Sequence, residues 1–146
     1  DKAGNANIQL ACCDNGPVLE LHDGFGTLRV RCGDKGPTLE LCDVVGTTRA
    51  LLFIAEAGST LMLFNETGKS WAALVNGGTG PSLVLSNEKA EGGAELRATE
   101  QGSHLMLQDE HGSIRAILSG RADRSGLSVF DEKGNIKWLA PQETQR

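Results

Sequence analysis

"GPTLELCDVVGTTRALL", residues Gly36–Leu52, carries two strands and the turn between them. Leu39 and Leu41 alternate with Glu40 and Cys42, a turn runs from Asp43 through Gly46, and apolar residues return at Ala50, Leu51 and Leu52. Alternation with a period of two marks a strand with one apolar face, and two such runs around a short polar turn mark a hairpin. The phrase then recurs as "GSTLMLFNETGKSWAAL" from Gly58, "GPSLVLSNEKAEGGAEL" from Gly80 and "GSHLMLQDEHGSIRAIL" from Gly102. Its first leucine falls at Leu19, Leu39, Leu61, Leu83, Leu105 and Leu127, a step of 20 followed by steps of 22.

A fixed period of this length is the mark of a repeat architecture. The turn residue keeps the same spacing at Asp1, Asp23, Asp43, Asn65, Asn87, Asp109 and Asp131, and its glycine at Gly4, Gly26, Gly46, Gly68, Gly112 and Gly134, with Ala90 in its place in one repeat. Aligning Val30 with Ala50 and Cys32 with Leu52 puts the one short step in the link between Cys32 and Gly36. A single domain is expected, with a half repeat over 1–15, whole repeats starting near 16, 36, 58, 80, 102 and 124, and a tail over 142–146. Helical periodicity is nowhere sustained, so the class is all-β: two-stranded 22-residue units stacked as a hairpin spiral or β-solenoid, with a closed six-hairpin trefoil-like barrel as the alternative. A four-residue loop after Asp23 would set Leu21 opposite Val30, Leu19 opposite Cys32 and Glu20 opposite Arg31. The alanine slot shared by Ala50, Ala72, Ala94 and Ala116 is expected to face inward, and Trp138 with Pro141 to cap the last unit.

The phrase "FDEKGNIKW", Phe130–Trp138, resembles the aromatic-Asp-x-x-Gly turns of the YD-type repeats of bacterial shell and toxin-delivery proteins. The Leu-x-Leu strands are similar to those of other bacterial tandem hairpin repeats. The resemblance implies tandem hairpins and assigns no functional residue.

Composition limits the chemistry. At 146 residues the chain is of ordinary single-domain size, 39% of it is hydrophobic, and no apolar run approaches the length of a membrane span. The net charge of -5 is the wrong sign for general binding to phosphate backbones, and with 4% aromatics and no Tyr there are few platforms on which bases would stack. Nucleic acid is therefore not an expected partner. His22, His104 and His111 have no neighbouring nucleophile or zinc-type spacing, so neither an enzyme nor a metal or other cofactor is expected. The Asp and Asn residues of the turns come one per repeat and read as turn makers, not as calcium ligands.

Four cysteines, Cys12, Cys13, Cys32 and Cys42, cluster in the first third of the chain. They are disulfide candidates, with a bond from Cys12 or Cys13 to Cys32 or Cys42 expected, and with it an extracellular or cell-surface home. The chain opens at Asp1 without Met, which reads as a processed terminus or as part of a longer protein. Ile8 and Leu10 carry the apolar slots of the half repeat on a strand with no charge or proline to blunt its edge, making it a candidate assembly edge. The expectation is a non-enzymatic structural or assembly protein whose partner is itself, as a homo-oligomer or filament, or another surface protein. The alternative is a binding module for a glycan or a partner protein, using an outer row of His22, Cys42, Phe64 and Trp71.

Overall fold

The computed structural model describes residues 6–69, 71–89, 92–122 and 125–141. The first five residues of the half repeat, the start near 124 and the tail 142–146 lie outside them. Thirteen strands follow one another: β1 (Ala6–Cys13), β2 (Gly16–Asp23), β3 (Gly26–Gly33), β4 (Gly36–Asp43), β5 (Thr48–Ala55), β6 (Gly58–Phe64), β7 (Trp71–Gly77), β8 (Gly80–Ser86), β9 (Gly93–Thr99), β10 (Gly102–Gln108), β11 (Ile114–Gly120), β12 (Ser125–Phe130) and β13 (Ile136–Ala140). They form one sheet in sequence order, each strand antiparallel to its neighbours in the chain. The protein is thus all-β and built of tandem hairpins. The closed barrel does not form, because β1 and β13 do not pair and the sheet stays open.

Two kinds of turn alternate along the sheet. On one side the connections from β1–β2 to β9–β10 are two residues long, as between Cys13 and Gly16, Ala55 and Gly58, or Thr99 and Gly102, and the last, from Gly120 to Ser125, is longer. The glycine opening the next strand sits hard against its neighbour: at Gly58, with φ +136°, an added Cβ would lie 1.9 Å from the Asn76 carbonyl oxygen. On the other side an Asp or Asn side chain organises a longer loop. Asp43 Oδ1 accepts from the N–H groups of Val45 and Thr47 at 3.1 and 2.9 Å, and Asp131 Oδ1 from Lys133 and Asn135 at 2.9 and 2.8 Å, the usual way an Asx residue replaces a backbone turn. Gly46 closes that loop at φ +85°, donating to the Asp43 carbonyl at 3.0 Å.

The first complete hairpin differs, and it moves the short step. Asp23 Oδ1 accepts from Phe25 and Gly26 at 2.8 and 3.0 Å, closing a two-residue turn at Gly24 and Phe25. Leu21 therefore faces Leu28, Leu19 faces Val30 and Glu20 faces Arg29, two residues from the expected register. In the other units Leu39 faces Leu52, and Leu61 faces Leu74, across the longer loop. Val30 is thus the counterpart of Leu52, and Cys32 that of Ile54. The two missing residues are absent from the Asp23 turn; the turn between Gly33 and Gly36 is of the same two-residue kind as its counterparts.

Two apolar rows cross the whole sheet on one face. The first runs through opposed pairs from Leu10 and Leu19, by way of Val30, Leu39 and Leu52, to Leu118, Leu127 and Ala140. The second starts at Ile8, and from Leu41 to Ala116 leucine alternates with alanine strand by strand before it ends at Val129 and Trp138. The opposite face holds Glu20, Arg29, Glu40, Leu51, Met62, Ala73, Val84 and Glu95 in successive strands.

It is this second face that is the better covered. Ala73 is 3% exposed and Ser82 7%, whereas Leu74 is 55% and Leu96 51% exposed. The alanine slot is therefore not an enclosed interior position: Ala50, Ala72, Ala94 and Ala116 stand half-exposed among open leucines. Trp138, 46% exposed, stands at the end of a row and covers no closed core.

Candidate functional site

Each strand is pleated, so its alternate side chains belong to opposite faces, and the candidate residues sort accordingly. Ile8 and Leu10 lie on the leucine face of β1, 75% and 78% exposed, opposite Leu21 and Leu19. Pro141 follows β13. β1 and β13 run in the same direction, since every strand between them reverses the chain once. Two copies joined head to tail through these edges would meet as a parallel pair, unlike any ladder within the sheet.

The four residues expected to form an outer binding row lie on the polar face, and only partly together. His22 and Cys42 flank Thr27 in one row, and His22 Nδ1 is 3.0 Å from Thr27 Oγ1. Phe64 and Trp71 face each other directly across β6 and β7. His22 is exposed, while Cys42, Phe64 and Trp71 are half-buried. This is the more enclosed side of the sheet, so the row is not the outward surface that the repeat pattern suggested.

The cysteines are free thiols. Cys12 and Cys32 share the leucine face, but β2 runs between their strands, which separates their Cα atoms by two strand spacings, about 10 Å. A disulfide bridges Cα atoms at most about 7 Å apart. Cys13 and Cys42 belong to the opposite face, where β2 and β3 separate their strands, and the Cys42 sulfur lies 3.9 Å from the Thr48 hydroxyl. The expected disulfide is corrected on this geometry. Among the described residues no group of three or more His, Cys, Asp or Glu side chains converges as a metal site would require.

Charge is organised on the polar face and at the Asx turns. Arg29 in β3 spans its two neighbours, its Nε donating to Glu20 and its Nη1 donating to Glu40 Oε2 at 2.8 Å, while the Thr48 hydroxyl donates to Glu40 Oε1 at 2.6 Å. The Thr48 hydroxyl and then Arg29 hold the Glu40 carboxyl below its ordinary range, and the bond to Glu40 raises Arg29. At the turns, the His111 N–H above all holds Asp109 down, and the Asn135 side chain does the same for Asp131. At Asp43 desolvation pushes upward, but the Thr47 and Val45 N–H groups and Arg49 outweigh it, leaving that carboxyl lowered too. Arg49 Nε lies 2.8 Å from Asp43 Oδ2, and Arg115 Nε 3.3 Å from Asp109 Oδ2. These are structural pairings that fix turns and ladders.

Among the described residues nothing packs over the leucine face, since every strand contacts only its neighbours in the sheet. The repeat pattern singled out its residues as core and so missed them as surface. A signal was present: Leu51, Met62, Ala73, Val84 and Ile117 make the middle strands apolar on both faces, which a sheet covered on only one side does not need.

No helix among the described residues is long and apolar enough to cross a membrane. Comparison with known protein families and with curated proteins gives no match.

Proposed function

We propose that the chain is a non-enzymatic structural protein, a β-repeat scaffold that builds or decorates a larger homo-oligomeric or filamentous surface structure. The observation that carries this reading is the leucine face. A soluble monomer seldom exposes one contiguous apolar patch beyond a few hundred Å², and larger ones mark contact surfaces. Here two rows of apolar side chains run uninterrupted across thirteen strands.

The test is mass by light scattering over a wide concentration range. The scaffold reading expects a mass well above 15.4 kDa that grows with concentration. A monomer throughout would reject it.

A second reading, a binding module for a glycan or partner protein, draws on one local feature. Ile8, Leu21, His22, Phe25, Leu28 and Leu41 line an open concavity of about 840 Å³ at the β1 end of the sheet, with Phe25 89% exposed at its rim. Saturable binding by a monomer, lost in Phe25→Ala, would favour this reading over the scaffold.

A further inference from the structure

We propose that the leucine face is the contact between two copies of this chain, packed face to face with the leucines of one copy seated over the alanines of the other. This rests on the assembly reading above and adds to it the surface and the geometry.

Three observations select a second copy as the occupant. The first is area. Thirteen strands at about 4.8 Å apart make a ribbon about 58 Å long, and two rows of side chains two residues apart cover about 13 Å of its width. That is about 750 Å² per copy and about 1,500 Å² for the pair, the size of a stable specific interface.

The second is shape. From Leu41 to Ala116 the row alternates leucine with alanine, so knobs and hollows repeat every two strands, about 10 Å apart. Along that second row the surface fits a copy of itself displaced by one strand, large over small, as facing layers interdigitate in a packed core, while the continuous leucines of the first row add apolar area. Two such sheets would lie about 10 Å apart.

The third is charge. The chain carries -5 overall, yet neither row holds a charged side chain, and the ion pairs of Glu20, Arg29, Glu40, Glu95 and Arg97 all lie on the other face. Like-charged copies can therefore meet here without bringing charge to the contact. A lipid surface fits less well. The apolar band of a membrane sheet is about 25 Å tall, twice the width of these rows, and the open edges at β1 and β13 would carry unpaired backbone groups into hydrocarbon.

The experiment is light scattering on the whole chain and three variants, with circular dichroism to confirm strand content. Leu74→Lys/Leu96→Lys alters two half-exposed leucines, so the sheet itself should form. It is expected to weaken self-association by roughly 100-fold or more, because the lysines would be desolvated at the contact. Leu74→Gln is the milder variant that still reports if the double lysine variant does not fold, and it should weaken association by roughly tenfold. Gln9→Lys charges the β1 edge and should leave association unchanged.

If the wild type associates and the leucine variants do not weaken it, the face-to-face contact is overturned while the scaffold reading stands. Loss of association in Gln9→Lys alone would place the contact at the β1 edge, with the same consequence. A wild type that stays monomeric at every concentration overturns both.

Discussion

Replacing Gly58 by alanine is expected to separate two demands that the turns make on glycine. Gly58 opens β6 at φ +136°, and a Cβ there would lie 1.9 Å from the Asn76 oxygen and 3.0 Å from the Gly77 Cα. The backbone conformation alone costs an alanine about 1–3 kcal/mol. Relieving the contact needs a shift of about 1 Å at the start of the β6–β7 ladder, which sacrifices one or two backbone hydrogen bonds at about 1 kcal/mol each. The total is about 2–5 kcal/mol.

Gly46 is the comparison: its φ is +85° but nothing lies within 4 Å of the added Cβ, so Gly46→Ala should lose only about 1–2 kcal/mol for the left-handed backbone. Gly78 has neither constraint, and Gly78→Ala should be neutral or slightly stabilising. Urea unfolding checks the series. With a slope of about 2 kcal/mol/M, Gly58→Ala should lower the midpoint by about 1–2.5 M and Gly46→Ala by about 0.5–1 M. Equal midpoints for these two variants would refute the claim that the close approach of neighbouring strands selects glycine at Gly58.

Three further outcomes follow from the same geometry. Ala73→Leu, at a position 3% exposed between Met62 and Val84, should cost about 1–3 kcal/mol by overpacking, whereas Ala98→Leu on the open face should stay within about 0.5 kcal/mol in urea titrations. Arg29→Met leaves Glu20 and Glu40 facing the same unpaired position and should cost about 1 kcal/mol; the loss should shrink in high salt when melting is followed against NaCl concentration. Because Glu40, Asp43, Asp109 and Asp131 are all lowered in the folded chain, their stabilisation is complete above the ordinary carboxylate range and is lost as pH falls through the lowered values. Melting temperature should accordingly hold near neutral pH and fall below about pH 4, and Asp109→Asn, which keeps the Oδ1 acceptor as Asn65 does, should flatten that fall.

The sequence by itself determined the strands, the hairpins and most of their spacing. Side chains alternate across a strand with a period of two whatever surrounds it, so Leu39–Glu40–Leu41 declares two faces without reference to the rest of the fold. Asx turns are equally local: Asp43 and Asp131 bond their own backbone within four residues. The candidate surface was legible only as a list of residues. Position 30 shows the limit, because Val30 fits the alanine slot or the leucine slot equally well by residue type, and the turn closed by Asp23 onto Phe25 and Gly26 decides between them.

Only the tertiary structure decided which face is covered. Alternation says that two faces differ, but coverage depends on what lies above each face, and that is a property of how the sheet curves and whether it closes. The leucines read as interior because burial usually follows hydrophobicity, yet a sheet whose strands pair only with their chain neighbours has no second layer to lay over them. Cys12 and Cys32 stay apart for another reason, since β2 runs between their strands and holds their Cα atoms two strand spacings apart.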